Sequence, residues 1–247
     1  MHAAPPRHVV GRRALGGFMF HGYLPMIVAG LGVTLSVASV SLLIACVFGL
    51  AGAVAKLSPS PLLRAVANAY TTIIRSLPDL LLMLGVFYGG QILLNRMADA
   101  QGWGYIEINP FAAGTLTLGF VFGAYLTETF RGAILAIPRG QIEAGYACGL
   151  TRWQVLSHIT LPQMIRHAIP GFTNNWLVML KATALVSIIG LDDMVHRAGL
   201  ASAATRAPFT FYALTGVIYL AVTTVSILVL SGVERRFSRG VRREALR

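Results

Sequence analysis

The segment IPRGQIEAGYACGLTRWQVLSHITLP, residues 137–162, is a more polar segment between two long apolar stretches. Its apolar spacing predicts two short amphipathic helices, Gly140–Cys148 and Thr151–Ile159, on either side of Gly149. Glycine suits the turn between them, and Thr151, close behind that turn, is a suitable N-cap. The proline that closes the segment is expected to end the second helix before the next apolar stretch. On its own, this pattern predicts a structured loop.

The chain around this segment is rich in apolar residues and poor in charge. Of its 247 residues, 55% are hydrophobic and only 12% are charged, with a mean hydropathy of +0.68. Soluble domains carry about 25% charged residues, so lipid is the expected solvent. The net charge of +11 could indicate nucleic acid, but six of the twenty basic residues lie within residues 235–247. This cluster is typical of a cytoplasmic tail beside a membrane, so we expect no nucleic-acid partner.

The apolar stretches predict an all-α membrane protein, a polytopic bundle of five transmembrane helices. One span needs about 20 mostly apolar residues. The predicted spans are Leu24–Ala55, Leu63–Asn95, Phe111–Leu135, Ile169–Leu191 and Pro208–Val233. Residues 1–20 are predicted to be an N-terminal tail, because the apolar stretch that follows is too long for a signal peptide.

The distribution of basic residues predicts the orientation of the bundle. Five spans place the termini on opposite sides of the membrane, and the arginine-rich end is expected in the cytoplasm. The loops on that side carry Lys56, Arg64, Arg139, Arg152 and Arg166. The loop 96–110 then falls outside. Three arginines near the N-terminus, Arg7, Arg12 and Arg13, oppose this orientation but are outnumbered by the tail.

No sequence motif indicates catalysis within this chain. There is no GxxxxGK[ST] phosphate loop, no GxSxG nucleophile motif and no HExxH metal motif. Cys46 and Cys148 indicate no disulfide framework, and the six histidines show no metal-ligand spacing. We therefore expect no catalytic residue and no bound metal. A passive channel is an alternative function, although its expected pore-lining rings or filter segment are not evident.

The spacing within residues 137–162 resembles the EAA loop of ABC-importer permeases. Glu143-Ala144 is followed by Gly149, six positions after the glutamate, and then by Ile159-x-Leu161-Pro162. Gly145 stands where the loop usually has its second alanine. In that family the loop forms a short coupling helix that sits in a cleft of the ATPase. The resemblance thus implies the ATPase-coupling residues Glu143, Ala144, Gly145, Gly149, Ile159, Leu161 and Pro162.

Three further segments resemble permeases for polar amino acids. They are AYTTIIRSLPD at 69–79, GAYLTETFRG at 123–132, and the stretch 174–185. The likeness is greatest to permeases of the histidine/lysine-arginine-ornithine type, and arginine and opine permeases are alternatives. The family implies an ABC transporter transmembrane domain over 21–239, followed by a basic tail over 240–247. It further implies a bacterial inner-membrane location with the N-terminus in the periplasm and the C-terminus in the cytoplasm.

The resemblance also implies partners and a mechanism. Two ATP-binding subunits would hold ATP and Mg²⁺, so that this chain itself would bind no cofactor. The membrane unit would be a dimer with a second homologous permease or with a second copy of this chain. A periplasmic binding protein would deliver the amino acid, and alternating access would release it inward.

Charged side chains inside the predicted spans are candidates for substrate contacts. An ionisable group at the bilayer centre costs about 2.5–3.5 kcal/mol, so it should be paired or line a cavity. Arg75 and Asp79 are four residues apart and Glu128 and Arg131 three apart, so each pair is expected to share a helix face. Asp79 and Glu128 could bind a cationic amino acid. The alternative is that Arg75 and Arg131 form structural ion pairs with them.

Four other residues complete the predicted substrate pathway. Lys181 interrupts the fourth span close to Asn175, and a helix-end or inter-helix pairing role is its alternative. Tyr125 and Trp176 could stack on a ligand, with packing as the alternative role for each.

Small residues repeat at helical spacing on three predicted spans. They are Ser41, Ala45, Gly49 and Ala53 on the first span, Gly85 and Gly89 on the second, and Gly119 and Gly123 on the third. Because small residues let helix backbones approach closely in lipid, these stripes predict packing within one bundle, with a subunit interface as the alternative.

Overall fold

A computed structural model of the protein describes residues 12–237, which form helices joined by short connections. The α-helices are α1 Arg12–Leu57, α2 Pro61–Ser76, α3 Asp79–Leu84, α4 Gly90–Ala100, α5 Pro110–Leu135, α6 Arg139–Ala147, α7 Arg152–Val155, α8 Leu161–Ala182, α9 Met194–Thr205 and α10 Pro208–Phe237. Two π-turns, Gly85–Gly89 and Leu156–Thr160, and a 3₁₀ segment, Thr183–Ile189, continue three of them. The predicted tail 240–247 and residues 1–11 of the N-terminal tail lie outside the described residues. Residues 12–20 of that tail belong to α1.

Five helical stretches are long and apolar enough to cross a membrane, as predicted. They are Gly22–Leu57, Asp79–Ala100, Pro110–Leu135, Arg152–Ile189 and Pro208–Phe237. Pro110–Leu135, helix α5, is the most buried of the five and therefore forms the centre of the bundle.

Helix α1 packs closely against α5 through small residues. Ser41, Ala45 and Ala53 are fully buried. A Cβ added at Gly49 would lie 2.7 Å from the Cβ of Leu126. The small-residue stripe on the first span and Gly119 and Gly123 on α5 thus pack within this chain, as predicted. By contrast, an added Cβ at Gly85 or Gly89 would meet no atom within 4 Å in the described chain.

The second predicted span, Leu63–Asn95, is wrong, because the chain breaks inside it. Helix α2 ends at Ser76, and Leu77 is extended, with φ −100° and ψ 143°. The crossing stretch begins two residues later, at Asp79. Proline disfavours helical backbone at the residue before it, which explains the break at Leu77. The apolar residues of α2 resemble a span but belong to a separate amphipathic helix.

The fourth crossing stretch also differs from the prediction. The short helix after Gly149 was expected to end at Pro162, yet the chain stays helical from Arg152 to Ile189. The π-turn Leu156–Thr160 lies just before the proline, and the Leu161 N–H bonds to the Leu156 carbonyl five residues back. This wider turn makes room for a proline ring that would clash with the carbonyl four residues before it.

Helix α9 anchors the connection between the last two spans to α1. Asp193 caps α9 by accepting a hydrogen bond from the His196 N–H at 2.8 Å. The Met194 N–H donates to the Thr34 hydroxyl on α1 at 3.3 Å. Asp193 is 1% exposed, and this burial raises the pKa of its carboxyl to about 6. A Cβ at Gly30 would come within 2.8 Å of Met194, so α9 lies directly on α1.

Candidate functional site

The predicted coupling segment begins with helix α6, which ends in a left-handed glycine. The helix predicted over Gly140–Cys148 is observed at Arg139–Ala147. Gly149 follows it with φ +80°, a backbone conformation that favours glycine. The Gly149 N–H bonds to the Tyr146 carbonyl at 2.9 Å, and the Leu150 N–H bonds to the Gly145 carbonyl at 3.1 Å. These two bonds form a Schellman motif, which explains the glycine at this position.

Thr151 caps the helix that follows, as predicted. The Gln154 N–H donates to the Thr151 hydroxyl at 3.4 Å, and the Thr151 N–H donates to the Gln154 side-chain oxygen at 2.9 Å. This reciprocal pair is a capping box, and it fixes the direction in which α7 leaves the turn.

Gly145 lies where α6 and the start of the fourth crossing stretch touch. It is buried, and a Cβ added to it would lie 2.6 Å from Cδ1 of Ile159. A cleft of about 400 Å³ runs beside this contact. It is lined by Gln141, Ala144, Gly145, Cys148, Leu150, His158, Ile159 and Gln163. Five predicted coupling residues, Glu143, Ala144, Gly145, Gly149 and Ile159, therefore belong to one compact unit, while Leu161 and Pro162 begin α8 next to it.

The unit exposes a charge and several large apolar side chains. Glu143 and Ala144 are exposed, and Glu143 forms no ion pair with any described residue. The exposed fraction is 47% for Tyr146 and 73% for Trp153. Aromatic side chains of this kind are enriched at the energetic centres of protein interfaces. Sequence reasoning missed both aromatics, although their place in two short amphipathic helices of a polar loop was the available signal.

Glu128 lies between two cations near the C-terminal end of α5. It forms an ion pair with Lys56, whose side chain is 8% exposed. It also accepts a hydrogen bond from the Arg131 Nε at 3.0 Å, which confirms the pair predicted from their spacing. Lys56 was not predicted as a partner because it lies 72 residues away. The available sequence signal was that Lys56 directly follows the charge-free first span. Glu128 is therefore neutralised within the chain.

Arg75 and Asp79 do not share a helix face, and the predicted pair is wrong. The break at Leu77 separates them, since Arg75 ends α2 whereas Asp79 begins α3. Neither forms an ion pair with any residue from 22 to 237. The Arg75 guanidinium instead lies 5.3 Å from the centre of the Tyr125 ring.

A polar cleft of about 360 Å³ brings part of the predicted pathway together. Its lining is Lys56, Thr71, Thr72, Arg75, Ser76, Tyr125 and Glu128. Asp79, Asn175, Trp176 and Lys181 do not line it. We call this space the Arg75 cleft. Because Lys56 and Arg75 face a single carboxylate there, its electrostatic character is positive.

The remaining pathway residues lie on or near α8. Asn175 donates hydrogen bonds to the Thr129 hydroxyl of α5 at 3.0 Å and to the Gly171 carbonyl at 2.9 Å. Trp176 packs partly buried in an apolar setting. Lys181 is exposed at the end of α8 and forms no ion pair in the described chain. Asn175 thus connects α8 to α5, and the role of each residue toward a substrate stays a prediction.

Metal ligation finds no support in the described part of the chain. No group of three or more histidine, cysteine, aspartate or glutamate side chains is placed to hold a metal ion there. The geometry instead offers two features, an exposed unit of two short helices directly after α5 and a positive cleft lined by α1, α2 and α5.

Comparisons with known proteins find a matching family and several similar permeases. Residues 45–243 match the family described as binding-protein-dependent transport system inner membrane component. The histidine/lysine/arginine/ornithine transport system permease HisQ of Escherichia coli is 51% identical over 228 residues, covering 92% of this chain and 100% of that protein. The arginine ABC transporter permease ArtQ of Haemophilus influenzae is 39% identical, covering 90% and 97%. The nopaline permease NocQ of Agrobacterium fabrum is 40% identical, covering 86% and 91%.

Solved structures share the fold. A crystal structure of an amino acid ABC transporter with histidines matches with a TM-score of 0.75 and 29% identity, covering 92% of this chain and 99% of that one. The MetNI methionine ABC transporter in an inward-facing conformation matches with a TM-score of 0.70 and 20% identity, covering 87% and 97%.

Proposed function

The chain belongs to the family of binding-protein-dependent transport system inner membrane components, and we propose that it is a permease subunit for import of basic amino acids. Histidine, lysine, arginine and ornithine are the proposed substrates. The observation that carries this proposal is the 51% identity, over the whole length of the relative, to a permease named for these four amino acids. Opine permeases are also related, so an opine or another polar amino acid is the alternative substrate.

We propose that the unit formed by α6 and α7, which we call the coupling unit, docks on an ATPase. Its exposed surface, which we call the docking face, offers the carboxylate of Glu143 and the aromatic rings of Tyr146 and Trp153. The Schellman turn at Gly149 and the contact of Gly145 with Ile159 hold that face rigid. A rigid face with aromatic anchors binds a partner at low entropic cost.

The same unit is joined to the membrane helices without a flexible linker. From Arg152 the chain is helical for 38 residues to Ile189. The bond from Asn175 to Thr129 links that stretch to the central helix α5. Motion of the ATPases is therefore passed to the bundle by movement of one continuous helical stretch, which supports alternating access as the mechanism.

The partners follow from the same proposal. Two ATP-binding subunits hold ATP and Mg²⁺ and catalyse hydrolysis, since this sequence lacks the phosphate-loop motif. A periplasmic binding protein delivers the substrate, in keeping with the family description. The second half of the membrane unit is a homologous permease or a second copy of this chain.

We propose that the chain lies in a bacterial inner membrane with its N-terminus in the periplasm and its C-terminus in the cytoplasm. Alternation of the five spans puts the coupling unit, Lys56 and Arg235 at one end of the bundle. The excess of basic residues at this end supports its cytoplasmic assignment.

Uptake into right-side-out vesicles tests the function. The chain is produced with its ATP-binding and permease partners, and the binding protein is added with radiolabelled arginine or histidine. We expect accumulation against a gradient that depends on both ATP and the binding protein. Flow only down the gradient, without either requirement, would establish a passive channel instead. Octopine and nopaline in the same assay decide between basic amino acids and opines.

Asp79 is the proposed partner for a cationic group of the substrate. It begins the second crossing stretch and has no ion-pair partner in the described chain. Substituting Asp79→Asn should lower arginine and lysine uptake about tenfold, the loss expected for one charge-assisted hydrogen bond. Uptake of a neutral amino acid that the same binding protein delivers should change little. An equal loss for all substrates would overturn this role.

A further inference from the structure

The Arg75 cleft carries more positive than negative charge. Lys56 and Glu128 form an ion pair in its lining, and Arg131 binds the second oxygen of the same carboxylate. No acidic residue remains in the lining for Arg75. The guanidinium therefore has donors that no described carboxylate satisfies, and it lies over the face of the Tyr125 ring.

The break at Leu77 keeps Arg75 in this state. In an unbroken helix, Arg75 and Asp79 would face each other and could pair. Here Leu77 is extended, and each charge stands on its own helix. The sequence thus places opposite charges four residues apart and the backbone prevents their mutual neutralisation.

Side chains with hydroxyl groups line the same cleft as the Arg75 guanidinium. Thr72 and Ser76 lie one turn apart on the exposed side of α2, and Tyr125 faces them from α5. A guanidinium offers two parallel N–H donors that match the two oxygens of a carboxylate. Ser76 already donates its hydroxyl proton to the Thr72 carbonyl, so the further donors in the lining are the hydroxyls of Thr72 and Tyr125. The cleft measures about 360 Å³ and so has room for a small carboxylate-bearing group with water.

We propose that the Arg75 cleft binds the α-carboxylate of the amino acid on its way to the cytoplasm, with Arg75 as the carboxylate-binding residue. The cleft lies beside Lys56, at the cytoplasmic end of α1, which places this contact late in the path. The inference rests on the proposed function and adds a site for the anionic group that all α-amino acids share.

Equilibrium binding to the complex without its binding protein tests the site. The permease, its membrane partner and the ATP-binding subunits are placed in phosphatidylcholine nanodiscs, and binding of L-arginine is compared with that of agmatine, the same molecule without the carboxylate. We expect tighter binding of arginine. In Arg75→Gln, arginine should bind about tenfold or more weakly while agmatine binding stays the same. Arg75→Lys should retain part of the preference.

Arg64→Gln is the matched control, because Arg64 is exposed on the same helix but does not line the cleft. Equal losses for arginine and agmatine in Arg75→Gln, or no loss for either, would overturn the inference while wild-type uptake upholds the proposed function. The same measurement in nanodiscs with phosphatidylglycerol identifies a lipid site. In that case, Arg75-dependent lipid retention would replace the arginine preference and overturn the inference. Wild-type complex that neither imports nor binds a basic amino acid would overturn both.

Discussion

The coupling unit and the Arg75 cleft lie near the same end of the bundle but are assembled in opposite ways. The coupling unit is built from neighbours in sequence, such as Thr151 with Gln154 and Gly145 with Leu150. The cleft is built from distant residues, since Lys56 meets Glu128 across 72 positions. Local geometry thus fixes the docking face, whereas packing of whole helices fixes the cleft. Substitutions at the docking face should therefore impair coupling to the ATPase. Substitutions in the cleft should change the stability of the protein or its binding of ligand.

The largest effect is expected from reversing the exposed charge of the coupling unit. Glu143→Lys should reduce ATPase copurification and uptake about tenfold or more, because a charge that meets a partner is costly to reverse. The subunit itself should still fold and insert, since Glu143 has no ion-pair partner in the described chain. Glu107→Lys makes the same charge change in the connection before α5, at the other end of that helix from the unit. Normal ATPase binding and normal stimulated hydrolysis in Glu143→Lys would refute the docking assignment.

This contrast explains what could be predicted from sequence. The turn at Gly149 and the cap at Thr151 follow from backbone preferences that act within a few residues, so both predictions were confirmed. The pair of Lys56 with Glu128 depends on how α1 and α5 align, which no local pattern contains. The predicted pair of Arg75 with Asp79 is wrong because spacing of four residues brings side chains together only within one helix, and the helix breaks before Pro78.

The predicted spans show the same limit. The charge-free first and fifth spans were located within a few residues, because twenty apolar residues leave no other arrangement in lipid. The second failed because α2 is apolar enough to resemble a span. In the fourth span, Pro162 predicted the end of a helix, but the π-turn before it lets the helical stretch continue past the proline. The small-residue stripe of the first span predicted close packing, yet only the structure identifies α5 as its partner.

Breaking the ion pair inside the cleft should lower the stability of the protein more than it impairs coupling to the ATPase. Glu128→Ala leaves the ammonium of Lys56 buried without its partner, at a cost of about 3 kcal/mol in the free energy of unfolding. The double substitution Lys56→Met with Glu128→Ala should recover most of that loss. Arg131→Ala is the control, because its side chain is 39% exposed and it should cost less than about 1 kcal/mol. Denaturation in detergent measures these variants together with Lys56→Met alone, and a loss in the double variant equal to the sum of the two single losses would contradict the buried pair.

Asp193, at the start of α9, has both a local and a distant contact nearby and should make the stability of the protein depend on pH. Asp193 caps its own helix next to the contact with Thr34, and burial raises its pKa to about 6. The folded protein therefore takes up a proton between about pH 6 and the ordinary aspartate value near 3.9, where the unfolded chain does not. This contribution makes the protein more stable as pH falls from 7 towards 4, by about 2 kcal/mol.

Asp193→Asn should remove most of this dependence, since an asparagine keeps an acceptor for the His196 N–H but carries no charge. Melting temperatures of the wild type and of Asp193→Asn at pH 5 and pH 7 make the comparison. Equal pH dependence in the two proteins would show that other groups cause it.

The smallest effect is expected where the coupling unit depends on one hydroxyl. Thr151→Ala removes the acceptor for the Gln154 N–H and should cost about 1 kcal/mol of local helix stability. Global unfolding should hardly change, because the contact of Gly145 with Ile159 still joins the two short helices. Hydrogen exchange at residues 152–155 should therefore accelerate about fivefold, while exchange in α5 stays constant. Thr151→Ser keeps the hydroxyl and should behave as wild type. If exchange accelerated equally in both regions, the coupling unit would not be a separate local structure, and its contrast with the cleft would fail.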